Sequence, residues 1–162
     1  LSMANVVFNA YHKETPELRR WWARLENEVR QSKAKLGYGL LYNVLGRRLC
    51  ILEALTDETL KSIVAFRPQS TIGDWLQRVW YLCHEDKRWP MEQARIIINV
   101  HDCLIALCKH EVKYEVAKLL VEHAQEPIDM NGRSMIIPAD CKVSIADETG
   151  THRWSNLKGL KL

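Results

Sequence analysis

The stretch ARIIINVHDCLIALCK, Ala94 to Lys109, constrains the fold more than any other part of the chain. Two apolar runs, Ile96 to Val100 and Cys103 to Cys108, flank one polar pair, His101-Asp102. Short apolar runs on either side of a polar break predict two antiparallel strands. A tight hairpin normally turns on Asn-Gly, Asp-Gly or another glycine pair, and none is present. The reversal is built from an imidazole and a carboxylate. Asp102 is either a plain turn residue, since Asp tolerates tight turns, or a carboxylate held at the end of two stiff strands. The second arrangement suits a hard divalent cation such as Mg²⁺, which takes one or two carboxylates together with substrate phosphates. His101 beside it can donate to a phosphate or a base edge.

Helices surround this hairpin. One is expected from Met3 to Tyr11. Thr15-Pro16-Glu17 then reads as a helix start, with the threonine hydroxyl as cap and Pro at the first position. Leu18, Trp21, Trp22, Leu25 and Val29 follow helical spacing up to a stop at Gly37. Tyr38 to Leu52 reads as a hairpin bent at Gly46. A helix capped by Thr56 or Asp57 is expected to break at Pro68, and a second to start at Ser70. His110 to Gln125 is amphipathic, with Val112, Val116, Leu119 and Leu120 on one face. DMNGR is a turn, SMIIPADCKVSI a strand interrupted by Pro138, and the tail DETGTHRWSNLKGLKL irregular. The expected class is α+β: a small antiparallel sheet covered by helices on one side.

Composition excludes several classes. With 47% hydrophobic and 27% charged residues the chain reads as globular and soluble. No apolar run reaches the roughly 18 residues of a membrane span, so no membrane partner is expected. Five cysteines without CxxC spacing argue against a disulfide framework or zinc ribbon and for a reducing cytoplasm; Cys103, Cys108 and His110 could be imagined as a metal cluster, but the two cysteines, lying on a strand, are expected to be core residues. Residues 1–90 hold 14 Lys/Arg against 10 Asp/Glu, and residues 91–162 hold 9 against 10. The first half thus carries the basic surface, and an anionic polymer suits it. The sequence opens on Leu1, so it is read either as starting at Met3 or as a piece of something longer.

Two further stretches carry polar chemistry. In Gly46-Arg47-Arg48, adjacent guanidiniums at a glycine bend can grip phosphates, though a solvated hairpin tip has the same composition. In FRPQSTIGDW, Phe66 to Trp75, Ser70 and Thr71 are expected to cap a helix whose amino end would hold phosphate. Gln69, just outside that cap, can read a base edge or sugar.

In chain order, YHKETPEL, GYGLLYNVLGRR, RPQSTIGD, INVHDCLIAL and IPADCKVSIADETGTHRW resemble successive elements of the C-terminal palm segment of family A DNA polymerases, the bacterial polymerase I and phage replicase family. The PQST form is closer to the phage enzymes. The resemblance covers nearly all of residues 1–162, with 1–55 as the helices and GRR hairpin that follow the fingers and 56–162 as the palm with motif C and the closing strand. It implies a partial domain of a right-hand polymerase. Asp102 would bind the catalytic divalent metals and His101 would lie by the primer terminus. Gln69 would touch the minor groove, Arg47 and Arg48 would support the backbone, and Arg67, Ser70 and Thr71 belong to the same DNA-binding element.

The departures are as informative. Cys103 stands where the family usually has Glu, Ser70 replaces a Gly, and the Asn expected upstream of the Gln element is not evident. Two-metal transfer needs a second carboxylate. In the family it lies in motif A, upstream of the fingers, and Asp74, Asp129, Asp140 and Asp147 sit in other contexts. The chain is therefore expected to need a partner chain or upstream segment carrying motif A and fingers, with primer-template DNA, dNTP and two Mg²⁺ as the other components. Trp21, Trp22 and Trp80 are expected to face the surface that partner covers. The setting would be cytoplasmic, in a bacterial host if the chain is of phage origin. A single-subunit RNA polymerase is a neighbouring reading. Two other classes compete: a non-catalytic nucleic-acid-binding module derived from a polymerase, and a helical interaction protein without salt-dependent DNA binding.

Overall fold

Five apolar side chains, Leu25, Val29, Leu41, Ile51 and Ile63, form a core between a long helix, a hairpin and a second helix. The computed structural model of the protein describes residues 3–130, 132–146 and 148–160. Two compact units divide between Thr71 and Ile72.

In the first unit, α1 (Met3–Glu14) is followed by α2 (Pro16–Leu36), β1 (Gly39–Tyr42), β2 (Arg48–Ile51) and the opening turns of α3 (Asp57–Glu85). Pro16 begins α2 as expected, but Thr15 does not cap it. Its hydroxyl donates instead to the Tyr11 carbonyl at 2.7 Å, closing α1. At the far end the Gly37 N–H bonds the Lys33 carbonyl in left-handed geometry. Strands β1 and β2 pair antiparallel with Gly39 opposite Ile51. A Cβ on Gly39 would lie 2.6 Å from Val29 Cγ1 and 3.1 Å from Ile51 Cβ, so only glycine lets β1 lie this close to α2. The expected Thr56 cap is present, its Oγ1 accepting the Thr59 N–H at 3.3 Å.

Helix α3 corrects the expected break. It runs unbroken through Pro68. An interior proline removes a helix hydrogen bond and costs about 3 kcal/mol. The turns before it are anchored by Ile63, with Leu60, Val64 and Phe66 packed on the same core; those after it bury Trp75, Val79 and Cys83. Packing on both sides of the proline outweighs its local penalty.

In the second unit, the latter part of α3 is followed by β3 (Ala94–Val100) and β4 (Cys103–Cys108), a 3-10 turn (His110–Val112) and α4 (Lys113–Ala124), then β5 (Ile128–Asp129), β6 (Ser134–Met135), β7 (Lys142–Ala146) and β8 (His152–Gly159). Helix α4 buries Val116, Ala117 and Leu119, and the Trp75 indole N–H donates to the Ala124 carbonyl at 3.2 Å.

The class is α+β, but the single sheet expected from the sequence is not formed among the described residues. The strands pair only locally, as β1-β2, β3-β4, β5-β6 and β7-β8, each two-stranded and antiparallel. The strand expected around Pro138 splits into β6 and β7, with residues 136–141 irregular, because proline cannot donate to a ladder. The tail expected to be irregular contains β8, which pairs with β7 from Lys142↔Gly159 to Ala146↔His152. Its polar side chains hide it from any alternation test; backbone pairing forms it. No helix among the described residues is long and apolar enough to cross a membrane.

Candidate metal and nucleic-acid site

The hairpin in question forms where the sequence places it. Val100 pairs with Cys103, leaving His101-Asp102 as a two-residue tip. With neither Gly nor Asn present, His101 itself takes the left-handed backbone, at φ 53°. Non-glycine residues adopt that region rarely, His more often than most, and such strain concentrates at functional sites. Asp102 is exposed, with no hydrogen bond or ion pair to another described residue. Behind it, burial and then the carboxylates of Asp102 and Asp140 push the Cys103 thiol up. Asp140 thus acts on the same thiol as Asp102. Among the described residues no group of three or more His, Cys, Asp or Glu side chains could hold a metal ion.

The strands behind the tip are apolar on both faces yet incompletely covered. Ile97 is 48% exposed and Leu107 63%. Near-continuous apolar runs are the pattern of strands buried on both sides.

The remaining candidates lie in the first unit. Gly46, at φ 88°, turns the chain ahead of Arg47 and Arg48, both exposed. The turn is joined to α3 by a hydrogen bond from Asn43 Nδ2 to Ser70 Oγ at 3.0 Å. The GRR and PQST stretches, read separately in the sequence, are therefore neighbours, with Gln69 exposed beside Ser70.

Three expectations change. No helix begins at Ser70, so the amino-terminal phosphate site is absent; both residues lie inside α3. Thr71 is buried, its hydroxyl donating to the Arg67 carbonyl at 2.7 Å. Arg67 is a clamp: its Nη2 donates to both Glu28 oxygens at 2.7 and 2.8 Å and its Nε to the Tyr42 carbonyl at 2.8 Å.

Trp21, Trp22 and Trp80 are each half-buried. Trp21 packs on the first core, and Trp22 meets the His12 ring edge-on at 5.1 Å. Trp80 lines an open cavity of about 520 Å³ with Gln77, Tyr81, His84 and Asn99. All five thiols are free; Cys108, expected in a core, is exposed, as is Cys50.

No family model, characterised protein or solved structure matches this chain.

Sequence reading missed a cluster of charges around His123. His123, buried on α4, lies between two carboxylates, with Nε2 3.0 Å from Asp86 Oδ2 and Nδ1 3.0 Å from Glu126 Oε1. Arg88 bridges Asp86 and Glu122 at 2.7 and 2.8 Å. Bonds from the Arg88 side chain and main chain hold the Asp86 carboxyl well below the usual range, with His123 adding to them and burial opposing. Burial, then Asp86 and Glu126, push the Cys83 thiol up to about 12. A loop residue such as Asp86 shows no spacing that marks its partners; only the His123-Glu126 separation was visible in sequence.

A folded pKa below the unfolded value of about 3.9 gives stability that is present above that value and lost as pH falls toward the folded one. Asp86→Asn is therefore expected to lower the melting temperature at pH 7 and to flatten the acid limb below about pH 4. Thermal unfolding at pH 7 and pH 3 checks this, and an acid limb as steep as wild type would exclude Asp86 as its source.

Proposed function

We propose that this chain is the C-terminal palm portion of a template-directed DNA polymerase, of the family A type, with Asp102 as its metal-binding carboxylate. The observation that carries the reading is the exposed Asp102 at a two-residue tip whose other member, His101, holds a left-handed backbone. Five motif-like stretches in family order, and the proximity of the GRR turn to Ser70, support it.

One carboxylate does not hold Mg²⁺ by itself, so the described residues fit one ligand of the expected two-metal site and do not complete it, with Asp147 lying outside them. The second Asp and the fingers would come from another chain or an upstream segment. The apolar hairpin behind the tip offers that partner a surface. Primer-template DNA, dNTP and Mg²⁺ are the other components, and the setting is a reducing cytoplasm. A second reading, a non-catalytic nucleic-acid-binding module, is favoured by Cys103 standing where an acidic residue would add to the site.

Primer extension with Mg²⁺ tests the proposal, run on the purified chain and then with the partner that copurifies from its native source. Extension only with the partner is expected. DNA binding that ignores Mg²⁺, with no extension under either condition, would replace the proposal by the binding module.

A further inference from the structure

The turn that carries Arg47 and Arg48 is built by a side chain, Asn43, that the sequence does not single out within GYGLLYNVLGRR. Asn43 is only 6% exposed. Its Oδ1 accepts the backbone N–H of Leu45 at 3.0 Å and of Arg47 at 2.8 Å. Its own N–H donates to the Arg47 carbonyl at 2.8 Å, and its carbonyl accepts the Gly46 N–H at 3.2 Å. Those contacts suffice to close a turn. The Nδ2 does something the turn does not need: it reaches Ser70, 27 positions along the chain, and fixes the turn against α3 beside Gln69.

We infer that Asn43 is a positioning residue for nucleic-acid binding, folding the Arg47-Arg48 turn and pinning it to Ser70 so that the two guanidiniums and Gln69 meet one phosphate backbone. This rests on the nucleic-acid reading above. The physical reason is preorganisation. A loose turn still carries two positive charges and still attracts DNA, but each arginine must then be ordered on binding, which weakens the contact. Arg67 holds the neighbouring end of β1 through the Tyr42 carbonyl, so the turn is fixed from two points on α3.

The test is fluorescence anisotropy of a labelled primer-template duplex with the full chain, over a series of salt concentrations. Each phosphate contact contributes about 0.9 to the slope of log affinity against log salt. Asn43→Ala is expected to weaken binding about tenfold and to lower that slope by about one. In a chain already carrying Arg47→Ala and Arg48→Ala, the same substitution is expected to change the slope no further, since its effect runs through the arginines. Asn43→Ser keeps an acceptor over the turn amides and is expected to recover part of the slope; it also serves if the alanine variant does not fold. A wild-type slope in both Asn43 variants, alongside a lowered slope in the arginine double variant, overturns the positioning role alone. An equal loss with and without the arginines does the same, marking a general structural effect. If the wild-type chain does not bind, or the arginine double variant binds like wild type, the nucleic-acid reading fails and the positioning role with it.

Discussion

On the polymerase proposal, Asp102→Asn in the chain combined with its proposed partner is expected to reduce primer extension about 1,000-fold, while the chain folds normally and binds DNA with nearly wild-type affinity. The size follows from the several kcal/mol that a bound divalent ion contributes to charge stabilisation at a reacting phosphoryl group, at 1.36 kcal/mol per factor of ten. Normal folding follows from the surroundings of Asp102. Its side chain is exposed and bonds to no other described residue, and exposed substitutions of that kind stay within about 0.5 kcal/mol. Asn also suits the turn as well as Asp does. A rate near wild type would show that Asp102 is only a turn residue. A loss matched by an equal fall in DNA affinity would mean that the tip binds DNA and does no metal chemistry. Single-turnover extension at saturating DNA separates these outcomes, because it reads chemistry apart from binding.

How much of this was legible in sequence depends on the range of the forces involved. Strands β3 and β4 were readable because their runs are apolar and contiguous, and their pairing is the shortest the chain allows. Helix α2 was readable because Pro16, the spacing through Leu25 and Val29, and Gly37 mark its start, face and stop. Pro68 misled because its penalty is local, while the packing that overrides it comes from Ile63 on one side and Trp75 on the other. Strand β8 was invisible because its pairing with β7 uses backbone groups that every residue shares. In the candidate site, Arg47, Arg48, Gln69 and Asp102 could be named from composition and order, whereas Asn43 could not. Its role lies in a bond to Ser70, and long-range side-chain bonds leave no periodicity. Arg67 shows the converse: a basic residue inside a promising motif, committed to Glu28 and Tyr42.

Leu25→Ala is expected to cost the first unit about 2–5 kcal/mol, a large share of the 5–15 kcal/mol that separates folded from unfolded states in typical domains. Leu25 has no exposed surface and lies, among the described residues, in a cluster of five buried side chains. Its truncation leaves a cavity that the neighbours cannot easily fill. Val29 is held against Gly39, where a Cβ would already approach within 2.6 Å, and Leu41 and Ile51 are fixed by strand pairing. Urea unfolding followed by tryptophan fluorescence should show a lower midpoint with an unchanged slope. A loss below about 1 kcal/mol would mean that α2 does not pack on this core as described. The comparison with Asn43→Ala is what gives the measurement its use. Leu41 and Ile51 belong to the strands that lead into and out of the Arg47-Arg48 turn, so on the nucleic-acid proposal a weakened core would lower DNA binding by lowering the folded fraction. The molecules that remain folded keep the turn intact, and their salt slope should match wild type. Loss of the Asn43 side chain acts within the folded state and changes that slope. Stability and positioning therefore separate across the two measurements, with Leu25 moving the unfolding midpoint and Asn43 moving the salt slope.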